Sequence, residues 1–62
     1  MKVMVNETVI DNVSAIEVEG AYEICPEEGL VIKVHLYDMS GNYKQSILIR
    51  DIENMNVNII ER

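Results

Sequence analysis

The sequence is poor in the residues that usually stabilise a very small domain. It has one cysteine in 62 residues, which excludes an internal disulfide, and no closely spaced Cys/His set that would predict a structural zinc site. A chain this short buries only about 60% of the surface that its unfolded form exposes, so small scaffolds need a further source of stability. Association with another chain is the source that remains, and we therefore expect a homo-oligomer, with a dimer as the simplest form.

Basic residues are scarce in the first half of the chain. Seven acidic residues and no base lie between Lys2 and Lys33, whereas the remainder is balanced, so the net charge of −6 arises in the first half. This distribution disfavours direct binding to a nucleic-acid backbone, which depends on clustered Lys and Arg, and it would attract a basic protein. A net charge of this size is also ordinary for a small soluble domain.

Long apolar runs are absent as well. No stretch approaches the roughly 20 apolar residues that span a bilayer, and no basic region followed by an apolar run opens the chain. A single thiol fits a reducing compartment. These features predict a cytoplasmic protein that does not contact a membrane.

β-Branched residues dominate what is present. Nine Ile and eight Val stand against two Ala, and β-branched side chains suit the pleated surface of a strand better than a helix. The sequence therefore predicts a mainly β protein, with residues 1–62 as a single small β domain. We expect about five antiparallel strands, arranged as a small open sheet or a partly closed barrel.

Residues 30–50 have the pattern of a central β-hairpin. Apolar residues occupy the even positions of its first strand, and Ser40-Gly41 marks the reversal. A two-residue loop, or a four-residue loop of the same parity, keeps the apolar residues of both strands on one face, whereas a three-residue loop would set polar residues against them. The even-parity register predicts the pairs Ile32/Ile49, Val34/Ile47, Leu36/Gln45 and Tyr37/Lys44.

The first 24 residues predict a short hairpin followed by a long strand. Residues 2–5 form a strand, residues 9–10 a brief extended piece, and the Asn- and Asp-containing segments 6–8 and 11–12 form turns. Residues 14–24 form the long strand, with a bulge or bend at Gly20. A turn at 25–29 would pair Ile24 with Leu30, which brings Glu23 towards Lys33 and Glu19 towards His35.

The end of the chain fits two interpretations. Ile52, Met55 and Ile59 have helical spacing, and Asp51 could cap a helix. Three asparagines and the alternation of Val57 with Ile59 favour a strand. We predict a loop at 51–55 and a last strand at 56–61, with the helix as the alternative.

Few residues could carry catalysis. Cys25 and His35 are the only candidates for a nucleophile and a base. Such a pair must lie within about 3 Å. In the predicted strands, a turn and several residues separate the two side chains. Residues 38–42 resemble a calcium loop only faintly, because they lack its alternating carboxylates and closing Glu. We therefore predict no catalytic site, no cofactor and no metal, and a protein that is not an enzyme.

Two binding surfaces follow from the strand pattern. One is acidic and would contact a basic partner; the other mixes apolar, aromatic and basic residues, a composition typical of interfaces, and would serve an oligomer or a ligand. The acidic face consists of Glu17, Glu19, Glu23, Glu27 and Glu28. The mixed face consists of Val31, Lys33, His35, Tyr37, Lys44, Leu48 and Arg50.

Three functions are compatible with these surfaces. The first is a non-enzymatic, homo-oligomeric module that binds a basic protein and inhibits it by occupying a basic groove. The second is an oligomeric protein that binds or sequesters an anionic small molecule, such as a nucleotide, through the mixed face. The third is a purely structural or accessory subunit. The bias towards Ile, Asn and Glu is similar to that of short proteins from AT-rich bacterial or phage genomes, and no family motif accompanies it.

Overall fold

Six β-strands and one short 3-10 helix make up the described part of the chain, which in this computed structural model is residues 1–22 and 29–62. The predicted mainly β class is confirmed. In chain order the elements are β1 (Lys2–Val5), β2 (Thr8–Ile10), β3 (Val13–Tyr22), β4 (Leu30–Asp38), β5 (Tyr43–Ile49), the 3-10 helix (Ile52–Asn54) and β6 (Val57–Glu61).

The strands form two antiparallel sheets of three strands each, and the sheets do not close into a barrel. The small sheet has the order β2-β1-β6, and the large sheet has the order β3-β4-β5. β1 and β4 are therefore the central strands, and the other four lie at edges. Of the two predicted arrangements, the open one is correct, although it is divided between two sheets.

The chain passes from the small sheet to the large sheet at a sharp turn. β1 and β2 form the predicted hairpin, with Val3 opposite Ile10 and Val5 opposite Thr8. Asn6 and Asn12 have φ values of 54° and 58°, a left-handed conformation that asparagine tolerates better than most residues. After Asn12 the chain enters β3, whose first residue, Val13, exchanges two backbone hydrogen bonds with Met1 at 2.7 and 3.0 Å.

The core lies between the two sheets and contains only apolar side chains. Val3, Val5 and Ile10 contribute from the small sheet, and Val34, Leu36 and Ile49 contribute from the large sheet. Val13 joins the two groups at the turn between the sheets. Val3, Val13, Val34 and Leu36 are fully buried. The alternation of apolar residues in β1 and β4 is therefore what directs one face of each sheet inward.

The hairpin of β4 and β5 has the predicted register but not the predicted loop. Ile32 to Leu36 pair with Ile49 to Gln45, as the alternation predicts. The loop contains three residues, 39–41, because the N–H of Asp38 donates to the carbonyl of Asn42 at 2.8 Å and its carbonyl accepts from Gly41 at 2.9 Å. Gly41 has a φ of 83°, the left-handed conformation that closes three-residue hairpin loops.

An extra residue in β5 compensates for the odd loop. Tyr37 pairs with Tyr43, and Leu36 pairs with Gln45, so Lys44 forms a bulge between the two pairs. The predicted Tyr37/Lys44 pair is therefore wrong. Because the bulge restores the parity of the hairpin, Ile49 packs in the core instead of pointing to solvent.

The pairing of β3 with β4 differs from the prediction by two residues. Tyr22 pairs with Leu30, where Ile24 was expected, and Glu19 pairs with Lys33. The irregularity of β3 lies near Ser14, between Val13 and Ala15, and no register shift occurs at Gly20, so the predicted bulge at Gly20 is wrong. A shift of two residues leaves every side chain on its predicted face.

The end of the chain contains the predicted last strand. β6 covers Val57–Glu61, and the alternative of a long helix over this segment is wrong. β6 lies beside β1, with Val5 opposite Val57 and Val3 opposite Ile59. The N–H of Asn56 also donates to the side-chain oxygen of Asn6 at 3.0 Å, which fixes the entry to β6 against the first turn.

Candidate functional site

The outward side of the large sheet is the surface that gathers most of the predicted binding residues. The alternate residues of β3, β4 and β5 that do not face the core form this surface, which we call the outer face. Its described members are Ala15, Glu17, Glu19, Val31, Lys33, His35, Tyr37, Tyr43, Ser46 and Leu48. Glu17 lies opposite His35 and Glu19 opposite Lys33. Two residues of the predicted acidic face therefore lie on the same surface as several residues of the predicted mixed face.

A chain of polar contacts crosses the three strands of the outer face. The Tyr43 hydroxyl donates to Ser46 Oγ at 3.0 Å, and Ser46 Oγ lies 2.6 Å from His35 Nδ1. On the other side of the ring, His35 Nε2 lies 3.6 Å from Glu19 Oε2. With the ring proton on Nε2, Tyr43 donates to Ser46 and Ser46 donates to His35 Nδ1, whereas the ring and the Glu19 carboxylate are at the distance of an ion pair. The predicted proximity of Glu19 to His35 therefore occurs, as a diagonal contact between neighbouring pairs.

The order serine, histidine, carboxylate is also that of a nucleophilic catalytic triad. A triad additionally needs donors that converge on the position of the developing oxyanion. The hydroxyl of Tyr43 is the donor next to Ser46 Oγ, and it is directed at the serine oxygen itself. His35 and Ser46 are also directly opposite each other in the ladder, where cross-strand hydrogen bonds are common. The contacts link side chains on all three strands of the large sheet.

Two tyrosines form the aromatic part of the outer face. The rings of Tyr37 and Tyr43 meet edge to face, with centroids 6.4 Å apart and planes at 80°. The Tyr37 hydroxyl donates to Glu17 Oε2 at 3.3 Å, and the negative charge of this carboxylate raises the pKa of the Tyr37 phenol above its ordinary value. Tyr43 is 61% exposed, and Leu48, opposite Lys33, is 40% exposed, so the outer face also presents apolar surface.

Not every predicted binding residue is exposed on the outer face. Val31 belongs to that face by its position in β4, but it is only 1% exposed, so its own chain covers it. Lys44 sits in the β5 bulge, and its Nζ donates to the carbonyl of Asp11 at 2.7 Å, which ties β5 to the turn between the sheets. Arg50 is exposed and follows the last residue of β5. Glu23, Cys25, Glu27 and Glu28, together with the predicted turn they belong to, lie outside the described residues.

Tyr43 lies on this surface although the predicted register assigns it to the other face. An even-parity hairpin without a bulge places Lys44 on the outer face and Tyr43 on the core face. The bulge reverses this assignment for Tyr43, so that it lies on the same face as Tyr37. One local feature of the sequence indicated a bulge: an uninterrupted alternation would direct Tyr43, a large aromatic residue beside the loop, into a small core.

Two shallow depressions lie away from the outer face. One, of about 440 Å³, is lined by Met1, Val13, Ser14, Met39, Ile59 and Arg62. The other, of about 510 Å³, is lined by Asn6, Glu7, Thr8, Asp51, Asn54 and Asn56. Within residues 1–22 and 29–62, no three His, Cys, Asp or Glu side chains are grouped as metal ligands. In that same part of the chain, no helix has the length and apolar character needed to cross a membrane.

Comparison with protein-family models, with curated proteins and with solved structures gave no significant match to this chain.

Proposed function

We propose that this protein is a non-enzymatic binding module and that its outer face binds a basic segment of another protein. The observation that carries the proposal is the position of Glu17 and Glu19. These carboxylates are exposed and lie two residues apart on the same side of an edge strand, and Glu17 contacts Tyr37, whose ring meets that of Tyr43. Carboxylates next to aromatic and apolar surface suit a lysine- or arginine-rich segment, which presents charges on aliphatic stems.

Contacts within the outer face leave these carboxylates accessible. The Glu19 side chain remains 52% exposed, although its carboxylate lies near His35. Glu17 accepts one hydrogen bond from Tyr37, and an ionised carboxylate has about four acceptor sites. Both groups can therefore accept bonds from a partner without losing those they have.

The net charge of −6 would speed the approach of a basic partner, since long-range attraction raises association rates. This binding would inhibit a partner that uses its basic surface for its own activity. The proposal includes a cytoplasmic location, which rests on the composition of the chain.

Charge reversal on the outer face tests this function. A lysine-rich peptide should bind the immobilised protein, and the double variant Glu17→Lys/Glu19→Lys should bind it at least tenfold more weakly. The double variant Glu7→Lys/Glu53→Lys is the matched control, because both residues are exposed, lie outside the large sheet and change the net charge equally. Equal binding by the wild-type protein and both variants would refute the proposal.

Self-association is a second candidate, and a specific observation favours it. Large apolar side chains are exposed on both sheets, among them Leu48 at 40%, Val9 at 53% and Ile60 at 47%. Light scattering after size-exclusion chromatography measures the mass directly. We expect a dimer that Leu48→Lys converts to a monomer if the outer face is the interface, whereas Val9→Lys would do so if the outward side of the small sheet is.

Two assays examine the other functions. Ester hydrolysis by the wild-type protein should equal that of Ser46→Ala, since the Tyr43, Ser46, His35 and Glu19 contacts are taken to be structural; a loss of activity in Ser46→Ala would refute the non-enzymatic assignment. Binding of an anionic small molecule stays a prediction. Lys33 lies opposite Glu19, and Lys44 Nζ donates to the carbonyl of Asp11, so both bases have neighbours of opposite or partial negative charge within the chain.

A further inference from the structure

β3 is an edge strand with a long free edge. It has ten residues, and within residues 1–22 and 29–62 its one partner strand is β4, while its first residue, Val13, bonds to Met1. Among the described residues, no strand lies along the other side of β3 from Ser14 onward. Alternate residues of an edge strand direct their N–H and C=O groups outward, where an added strand can pair with them.

The side chains of this edge oppose pairing with a second copy of the same strand. In a symmetric antiparallel pair centred on Val18, Glu17 would lie opposite Glu19 of the other copy. Centring the pair on Glu17 or on Glu19 would set that residue opposite itself. Like charges directly opposite each other are destabilising, so the middle of β3 disfavours its own copy.

We propose that an extended segment of a basic protein, with Lys or Arg at alternate positions and apolar residues between them, pairs with the free edge of β3 as a fourth strand of the large sheet. This inference rests on the proposed function and specifies how the partner binds. In such a strand, the basic residues lie on the outer face beside Glu17 and Glu19. Opposite charges on neighbouring strands stabilise a pair and fix its register.

The core-facing side of the same edge favours apolar residues in the partner. Val18 is 55% exposed although it lies opposite the fully buried Val34, because no strand of the described chain lies on its other side. Two residues further on, Gly20 has no side chain, and a Cβ there would lie 3.8 Å from both Ile32 Cδ1 and Leu30 Cδ1. A large apolar side chain of an added strand that lies beside Gly20 would contact Leu30, which is 41% exposed.

Three peptides of seven residues test the pairing. The first alternates lysine and valine, the second has the same composition with the lysines in one block, and the third alternates glutamate and valine. Fluorescence anisotropy gives their affinities for the full chain. We expect the first to bind at least tenfold more tightly than the second, about 1.4 kcal/mol, and the third not to bind. Amide hydrogen exchange by NMR should slow at every second residue of 14–20 when the first peptide is added.

Charge-reversal variants test whether Glu17 and Glu19 contribute to this pairing. Glu17→Lys/Glu19→Lys should weaken the alternating peptide at least tenfold, whereas Glu7→Lys/Glu53→Lys should change its affinity less than about twofold. Equal affinity for the alternating and blocked peptides, without protection of β3 amides, would refute the edge pairing and leave the proposed function standing. Absence of binding by every lysine peptide would refute both. Equal protection of the β3 amides in the wild-type protein and in Glu17→Lys/Glu19→Lys would refute the role of the two glutamates.

Discussion

Deleting Lys44 tests whether the apolar pattern or the loop sets the register of β4 and β5. Without this residue, Gln45 follows Tyr43 directly, and the pairs Tyr37/Tyr43 and Leu36/Gln45 become consecutive in an uninterrupted ladder. The three-residue loop and all the pairs beyond the bulge keep their places. We therefore expect the shortened chain to fold with an unchanged core.

The structure limits the expected loss of stability. Lys44 makes one hydrogen bond, from its Nζ to the carbonyl of Asp11, and losing it should cost about 1 kcal/mol. A one-residue slip would instead turn Ile47 and Ile49 out of the core. Ile49 is 2% exposed and Ile47 is half-buried, so the slip would cost on the order of 3–5 kcal/mol. A chain of this length has a free energy of unfolding of only roughly 3–9 kcal/mol.

Urea unfolding followed by circular dichroism distinguishes these outcomes. Deletion of Ser46 is the matched control, because it also removes the bulge but moves Lys44 to the core-facing position opposite the fully buried Leu36. We expect the Ser46 deletion to be much the less stable of the two. A loss of 3 kcal/mol or more on deleting Lys44, or equal losses in both chains, would refute the compensating role of the bulge.

Three further changes have defined outcomes. Leu36→Ala should lower the free energy of unfolding by about 2–5 kcal/mol and Leu48→Ala by much less, because Leu36 is fully buried and Leu48 is 40% exposed; urea unfolding measures both. Glu17→Gln should lower the pKa of Tyr37, followed by absorbance at 295 nm, because it removes the charge that raises it. Because that pKa is raised in the folded chain, the Tyr37 phenol contributes to stability at neutral pH. This contribution is lost as the pH rises through the raised pKa. Alkaline unfolding of the Glu17→Gln variant at the same pH as the wild-type protein would contradict this. Gly41→Ala should cost about 1 kcal/mol or more, since φ is 83° there, and no change in urea midpoint would contradict the assignment of the loop.

Much of the fold could be predicted because its strands alternate cleanly. The even positions of β4 and the valines of β1 assign their core faces without any knowledge of their partners. The register of β4 with β5 was predictable for a further reason, since an apolar row on each strand tolerates only one parity. The Asn-containing segments around positions 6 and 12 identified the turns that flank β2.

The errors have a common physical origin: a period of two gives the face of a residue but not its partner. The pairing of β3 with β4 was wrong by two residues and still placed Glu17 and Glu19 on the correct face. The same alternation could not reveal a bulge, so it exchanged Tyr43 and Lys44. The pairing of Ser46 with His35 follows from the register, whereas the ring orientation that their contact needs is encoded by no local pattern. Nothing near β1 indicated that β6 would be its neighbour.

The pairing of β1 with β6 has a consequence during translation. Asn6 and Asn56, fifty residues apart, bond across the small sheet, and Val57 lies opposite Val5. A ribosome must release nearly all of the chain between Asn6 and Asn56 before β6 can pair with β1 and complete the small sheet. Until then, β1 in the nascent polypeptide pairs with β2 alone. A chaperone or a neighbouring nascent polypeptide could bind the unpaired backbone groups along its other edge.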